Sequence, residues 1–195
     1  MFFLVIVAIA FFVVGLYNKL VRGRNQAKNS FSQIGVQLQR RFDLIPNLVE
    51  IAKKYMAHEK EALQAVIEAR SGASKALDAA KSDPNKISLR DLRAAEEKVD
   101  VGLGRLIALA EDYPDLKANQ NMMQLTEELT TTENKVSFAR QAYNDSVMSY
   151  NNTVESFPSN LLAGAFGFLP MSLYEVDSKD ARKAVAVSFD QGQLK

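Results

Sequence analysis

One run of apolar and small residues constrains the whole chain. From residue 121 to residue 157 it reads Met122, Leu125, Leu129, Thr132, Val136, Ala139, Tyr143, Val147, Tyr150, Val154 and Phe157. Every step is three or four, so the side chains fall on one face of an α-helix and leave no room for strand alternation. The consecutive steps of four through Ala139, Tyr143 and Val147 read as a coiled-coil stutter. A helix of this length is about 55 Å long and needs partners of similar length to cover its seam. The Met and Tyr positions in the seam are read as bundle core, since packing alone requires apolar residues at that spacing.

The start of the chain supplies a different element. The stretch 2–17 contains no charged residue, and with 18–21 it reaches the length that crosses a hydrocarbon core about 30 Å thick. It reads as a transmembrane anchor rather than a cleaved signal. No Lys or Arg precedes it, and its one small-residue motif, Ala8-Ile9-Ala10, lies inside the run. A lipid-modified cysteine is excluded because the chain has none, and so are disulfides, thiolate metal sites and a cysteine nucleophile. Six of the 24 basic residues, Lys19, Arg22, Arg24, Lys28, Arg40 and Arg41, and none of the 23 acids lie before position 43. The first four form a basic collar beyond the apolar run. By the positive-inside rule it places the large domain in the cytoplasm and a minimal N-terminus outside, and it suits anionic headgroups. The near-neutral pI of 7.9 gives no nucleic-acid footprint.

A second helical seam follows the anchor: Leu20, Arg24, Ala27, Phe31, Ile34, Leu38, Arg41, Ile45, Leu48, Ala52 and Tyr55. Pro46 is expected to interrupt it with a kink or restart over 42–46, with Asp43 capping the new helix, because proline removes a donor and collides with the carbonyl four residues back. The restarted helix is expected to run to about Ala80. Ser82-Asp83-Pro84-Asn85 is a turn, and Ser88 is expected to cap a further helix through Leu89, Leu92, Val99, Leu103, Leu106 and Ala110. Gly102 and Gly104 inside it suggest close helix contact rather than a phosphate loop, since no strand precedes them. Tyr113-Pro114-Asp115 stops that helix, and a short link to Asn119 turns the chain back. Beyond Pro158 the almost wholly apolar stretch 161–171 is too short to span a bilayer. It is expected to fold back as a cap on the bundle, or else to touch lipid or a partner subunit. The last twenty residues are expected to be loosely ordered. The fold class is therefore all-α: a long antiparallel bundle of about four helices (22–170) behind one transmembrane helix (1–21), with a C-terminal tail (171–195).

The segments Tyr17-Asn18-Lys19-Leu20-Val21, Val36-Gln37-Leu38-Gln39-Arg40-Arg41-Phe42-Asp43-Leu44-Ile45-Pro46-Asn47-Leu48-Val49-Glu50, Leu103-Gly104-Arg105-Leu106 through Asp112-Tyr113-Pro114-Asp115-Leu116-Lys117-Ala118-Asn119, and Thr132-Glu133-Asn134-Lys135-Val136 with Ala139-Arg140-Gln141-Ala142-Tyr143-Asn144 resemble the bacterial LemA family. The resemblance covers about 17–168 in family order. It implies a membrane-anchored antiparallel bundle and kinship with a magnetosome membrane protein, and it supplies no activity.

No catalytic constellation emerges. His58-Glu59-Lys60-Glu61-Ala62 opens like a zinc-protease helix, but Ala62 stands where the second ligand is required. A di-iron bundle needs two Glu-x-x-His pairs and there is one histidine, read as a surface helix residue. No cofactor and no enzyme activity are expected. The polar residues of the resembling motifs, Arg40, Arg41, Asp43, Asn47, Glu50, Arg105, Asp115, Asn119, Glu133, Asn134, Arg140, Tyr143 and Asn144, are read as a buried network fixing helix register, with a partner-binding surface as the alternative. Glu133 and Arg140 are two turns apart on one face. The function that follows is a single-pass scaffold that self-assembles at the bilayer, with copies of itself or other membrane proteins as partners and no nucleic acid. A ligand-binding or sensory module is the alternative.

Overall fold

The computed structural model describes residues 1–174, and among them it is all helix, turn and extended link, with no strand. Six helices follow in order: α1 (Phe2–Tyr55), α2 (Lys60–Ser82), α3 (Lys86–Ala110), the single turn α4 (Pro114–Lys117), α5 (Gln120–Glu155) and α6 (Ser159–Phe166). α1, α2, α3 and α5 run alternately up and down as an antiparallel bundle. The expectation of a loosely ordered C-terminus falls on residues outside those described.

Both predicted seams are the core. On α1, Leu20, Ala27, Phe31, Ile34, Leu38, Arg41, Ile45, Leu48 and Ala52 are buried, and on α5 so are Met122, Leu129, Thr132, Val136, Tyr143, Val147, Tyr150 and Val154. The two ends of the seams depart from this: Tyr55 is 38% exposed and Phe157 79%. α1 and α5 pair along nearly their whole common length. The Gly23 backbone faces Tyr150, Ser30 and Ser146 share a hydroxyl bond of 2.9 Å, and the Phe31 and Tyr143 rings sit 5.5 Å apart. Arg41 reaches Glu133 at 3.5 Å, and Asn119 donates to the Tyr55 hydroxyl at 3.2 Å. Advance along α1 is matched almost residue for residue by retreat along α5, so the pair holds one register. α2 and α3 pack beside the distal part of this pair. At their contact Gly102 is needed for close approach, since a Cβ there would lie 3.3 Å from Val66 Cγ2. Gly104 faces open space, contrary to the expectation of close contact.

Four local expectations are corrected. Pro46 does not restart the helix, for α1 is one helix of 54 residues that holds Pro46 in its interior. The carbonyl that Pro46 orphans, that of Phe42, accepts instead from Arg70 Nε on α2 at 3.2 Å. Asp43 is not a cap: it accepts from Gln39 Nε2 at 2.9 Å and lies 3.7 Å from Arg70. The chain breaks later, where Met56 closes α1 and α2 begins at Lys60, so His58 lies in an exposed turn rather than on a helix. Finally, α3 is capped by Asn85, whose Oδ1 accepts from the Ile87 and Ser88 amides at 2.9 and 3.0 Å, while Ser88 Oγ accepts from the Asn85 amide at 3.1 Å. Ser88 is the third residue of a reciprocal capping box and not the cap itself.

The substitution of a tertiary donor for the missing proline amide is testable by a double-mutant cycle. Arg70→Met in the natural background is expected to cost about 1.5–3 kcal/mol, the range for a hydrogen bond with a charged partner. In a Pro46→Ala background the Phe42 carbonyl regains a backbone donor, and the same change is expected to cost measurably less. Thermal unfolding in detergent reads both, and strictly additive effects would refute the coupling.

Candidate functional site

Polar side chains gather at two levels of the bundle. At the lower level Arg41, 4% exposed inside the α1 seam, lies 2.7 Å from Asp100 Oδ1 on α3 and 3.5 Å from Glu133 Oε2 on α5. The Asp100 contact is an ion pair without the alignment of a hydrogen bond, since this oxygen has no hydrogen-bond partner. One guanidinium thus bridges three helices and fixes their relative height. A buried cation needs such partners, because charge removed from water costs several kcal/mol unless compensated.

The upper level centres on Glu96 of α3, which is fully buried between Leu92 and Val99. Its Oε2 accepts a close hydrogen bond from Arg140 of α5 and lies 3.5 Å from Arg93, while its Oε1 accepts from the Tyr174 hydroxyl at 2.9 Å. The Arg140 guanidinium also stands over the Tyr174 ring, 5.2 Å from its centre. Burial pushes the Glu96 carboxyl above its ordinary value, a shift Asp100 adds to, against the opposing pull of Arg140, the Tyr174 hydrogen bond and Arg93. Burial likewise raises the Tyr143 hydroxyl to about 12, and burial with the Glu96 charge raises that of Tyr174.

Above this level the chain beyond α6 doubles back along α5 as an extended strap. Gly167, in the left-handed conformation with φ 70°, reverses the chain, and Phe168 donates its amide to the Ala163 carbonyl at 2.9 Å. Two Tyr-Asn pairs one heptad apart then hold the strap. Tyr150 donates to the Leu169 carbonyl at 3.1 Å, and Tyr143 to that of Ser172 at 2.8 Å. Asn151 donates to the Met171 carbonyl at 2.9 Å and accepts its amide at 2.8 Å; Asn144 does the same for Tyr174 at 3.1 and 2.8 Å. Met171, Ser172, Leu173 and Tyr174, counted with the tail from sequence, are therefore tied to the bundle. Phe168 closes a small cluster with Leu20, Tyr150, Val154 and Ala163, so the stretch 161–171 does fold back as a cap.

The structure thus divides the residues picked out from sequence. Arg41 and Glu133 meet at one level, Arg140, Tyr143 and Asn144 serve the other, and Glu133 and Arg140 do not pair with each other. Asn119 caps α5, accepting from the amides of Asn121 and Met122 at 3.0 and 3.1 Å. Arg40, Asp43 and Asn47 are exposed along an open groove between α1 and α2 that also holds Lys81. Glu50, Arg105, Asp115 and Asn134 are exposed elsewhere, and Glu50 stands 3.7 Å from Lys53. Of the collar, Arg24 lies over the Phe168 ring at 5.0 Å and Arg22 donates to the Asn18 carbonyl, while Lys19 and Lys28 face out. Sequence reading missed Glu96, Asp100, Arg70, Asn151 and Tyr174. Glu96 leaves one signal, a carboxylate in the gap of the α3 seam, and Asn151 leaves another, repeating the Tyr143-Asn144 pair seven residues on. Among the described residues no three metal-ligating side chains come together.

The family model described as LemA matches residues 30–189, most of the chain. This chain belongs to the LemA family. Its LemA relatives include Protein LemA of Metamycoplasma hominis, 27% identical over 196 residues that cover the whole of this chain and 83% of the relative. Magnetosome protein MamQ 2 of Paramagnetospirillum magneticum and Magnetosome protein MamQ of Magnetospirillum gryphiswaldense are 25% and 24% identical over 171 residues. Those matches cover 78% of this chain, which spans only 62% of the length of either magnetosome protein. The LemA match takes in both polar levels and the strap, and it leaves out the first 28 residues of α1.

Glu96 gives a prediction with a definite sign. A carboxyl whose folded pKa is raised binds its proton more tightly in the folded chain. Its contribution is full below the ordinary value of 4.5 and is lost as pH rises through the raised value. The melting temperature of the natural chain is therefore expected to fall across that window, and that of Glu96→Gln, which keeps an acceptor for Tyr174 but does not titrate, to stay level. Parallel profiles from thermal scans would refute the assignment.

Proposed function

We propose that this chain is a single-pass membrane protein of the bacterial inner membrane whose bundle is a scaffold, assembling with copies of itself or with other membrane proteins at the bilayer surface. The observation that carries the reading is the first third of α1. Phe2, Phe3 and Phe11 are 81%, 74% and 75% exposed, and the helix is long and apolar enough there to cross a membrane. Water is a poor solvent for such a surface, and lipid is the solvent whose thickness it matches. The same helix continues without a break into the bundle, so anchor and scaffold are one rigid element. The names of the magnetosome relatives, proteins of a membrane-bounded compartment, support a place in membrane organisation for this chain too.

Assembly is supported by the proximal part of the bundle, where among the described residues α1 and α5 run beside only the strap and α6, and where Met148 is 54% exposed. A second reading, a ligand-binding or sensory module, draws on the open groove in which Arg40, Asp43, Asn47 and Lys81 converge. The expected result for the scaffold is that the full chain in detergent scatters light as a discrete oligomer; a strict monomer across working concentrations would remove self-assembly.

The collar of Lys19, Arg22, Arg24 and Lys28 supports a cytoplasmic bundle. Protease added to intact cells and to spheroplasts is expected to spare the bundle, whereas digestion from outside would reverse the orientation.

A further inference from the structure

The second apolar surface of the molecule lies beside the anchor. Residues 156–171 contain no charged side chain. Phe157, Leu161, Phe166 and Leu169 from this stretch are 79%, 66%, 58% and 76% exposed. Large apolar side chains gathered on one small element mark a contact.

Their height along α1 is fixed by packing. The Tyr17 ring meets those of Phe166 and Phe168 edge-on at 5.1 and 5.6 Å, and Leu20 is buried against Ala163 and Phe168. Phe157 and Pro158 line one groove with Phe12, Leu16 and Lys19. α6 therefore stands level with the last turns of the apolar run, where a helix about 20 residues long leaves the hydrocarbon. It is also held there firmly, by the Gly167 reversal and by Tyr150 and Asn151 gripping Leu169 and Met171. The fold presents this surface instead of hiding it.

We infer that α6 and its flanks are a second membrane contact, an interfacial element that seats Phe157, Leu161, Phe166 and Leu169 in the same leaflet from which α1 emerges. The inference rests on the anchor reading above. Lipid is the occupant because the apolar surface is continuous with that of the anchor and ends at cationic Lys19, Arg22 and Arg24, the order of a leaflet from acyl chain to anionic headgroup. Two attachments, one spanning and one lying in the interface, would fix the rotation of the bundle about α1 as well as its height.

The test uses the full chain, whose lack of cysteine permits single labels. An environment-sensitive fluorophore is attached through Leu161→Cys, Leu169→Cys, Ile9→Cys and Phe138→Cys in separate preparations, each reconstituted into phosphatidylcholine and phosphatidylglycerol vesicles with brominated acyl chains. The labels at positions 161 and 169 are expected to shift to the blue and lose intensity on bromination, as at position 9, while the label at 138 on exposed α5 surface stays unchanged. Quenching at 9 with none at 161 and 169 overturns the inference and leaves the anchor standing. Absence of quenching at 9 overturns the anchor itself. Efficient oxidative cross-linking through Leu161→Cys, with no quenching there, would assign the surface to a second copy and also overturn the inference.

Discussion

The antiparallel pairing of α1 with α5 is the constraint on which the other contacts depend. Two helices with continuous seams can slide past each other by a turn at small cost, because one apolar residue replaces another. Here the slide is blocked by contacts that tolerate no substitution of partner. Gly23 admits the edge of the Tyr150 ring, and Arg41 must find Asp100 and Glu133. Burial of the seam residues supplies the stabilisation, at roughly 1.5–3 kcal/mol for each large apolar side chain, and the polar contacts select one register among the apolar alternatives. Once that register is set, the heights of α2, α3 and the strap follow.

The strap shows a different use of polar residues. An extended segment outside any sheet must satisfy its amides and carbonyls one by one. Asn144 and Asn151 each meet both groups of one residue, as a neighbouring strand would, and Tyr143 and Tyr150 take two further carbonyls. The heptad spacing of these pairs on α5 spans three residues of extended chain from Met171 to Tyr174. Tyr174, inserted at the end of the strap, then closes over Glu96 and Arg140, so the buried carboxylate is screened from water by a residue recruited from far along the chain.

Much of this fold was legible in the sequence because periodicity reports directly which face is buried. The seams of α1, α3 and α5 followed from it, while the family was read from its motifs and the fold-back from the apolar stretch beyond Pro158. The errors lie where a tertiary partner replaced a local one. Pro46 was read as a break because its orphaned carbonyl had no visible donor, and the donor is Arg70 on another helix. The true break at Met56 carries neither glycine nor proline, so no local rule marks it. Ser88 looked like the cap of α3 because the Asn85 side chain was assigned to the preceding turn. Of the candidate site, Arg41, Arg140, Tyr143 and Asn144 were recognised through their motifs, but their partners Asp100, Glu96 and Tyr174 have no spacing that announces them. Hydropathy treats a buried carboxylate as a surface one, and only the gap in the α3 seam suggests otherwise.

The unbroken course of α1 has a mechanical consequence. A break at the membrane surface would let the bundle sway independently of the lipid, and α1 runs as one helix from Phe2 to Tyr55. Beyond the apolar run it extends for about 50 Å at 1.5 Å per residue. An inclination of about 20° in the bilayer, ordinary for a spanning helix, therefore carries the far tip sideways by roughly the width of one and a half helices. On the anchor reading the molecule would act as a stiff lever, so that local thickness or curvature of the lipid would be converted into the position of the turn around His58.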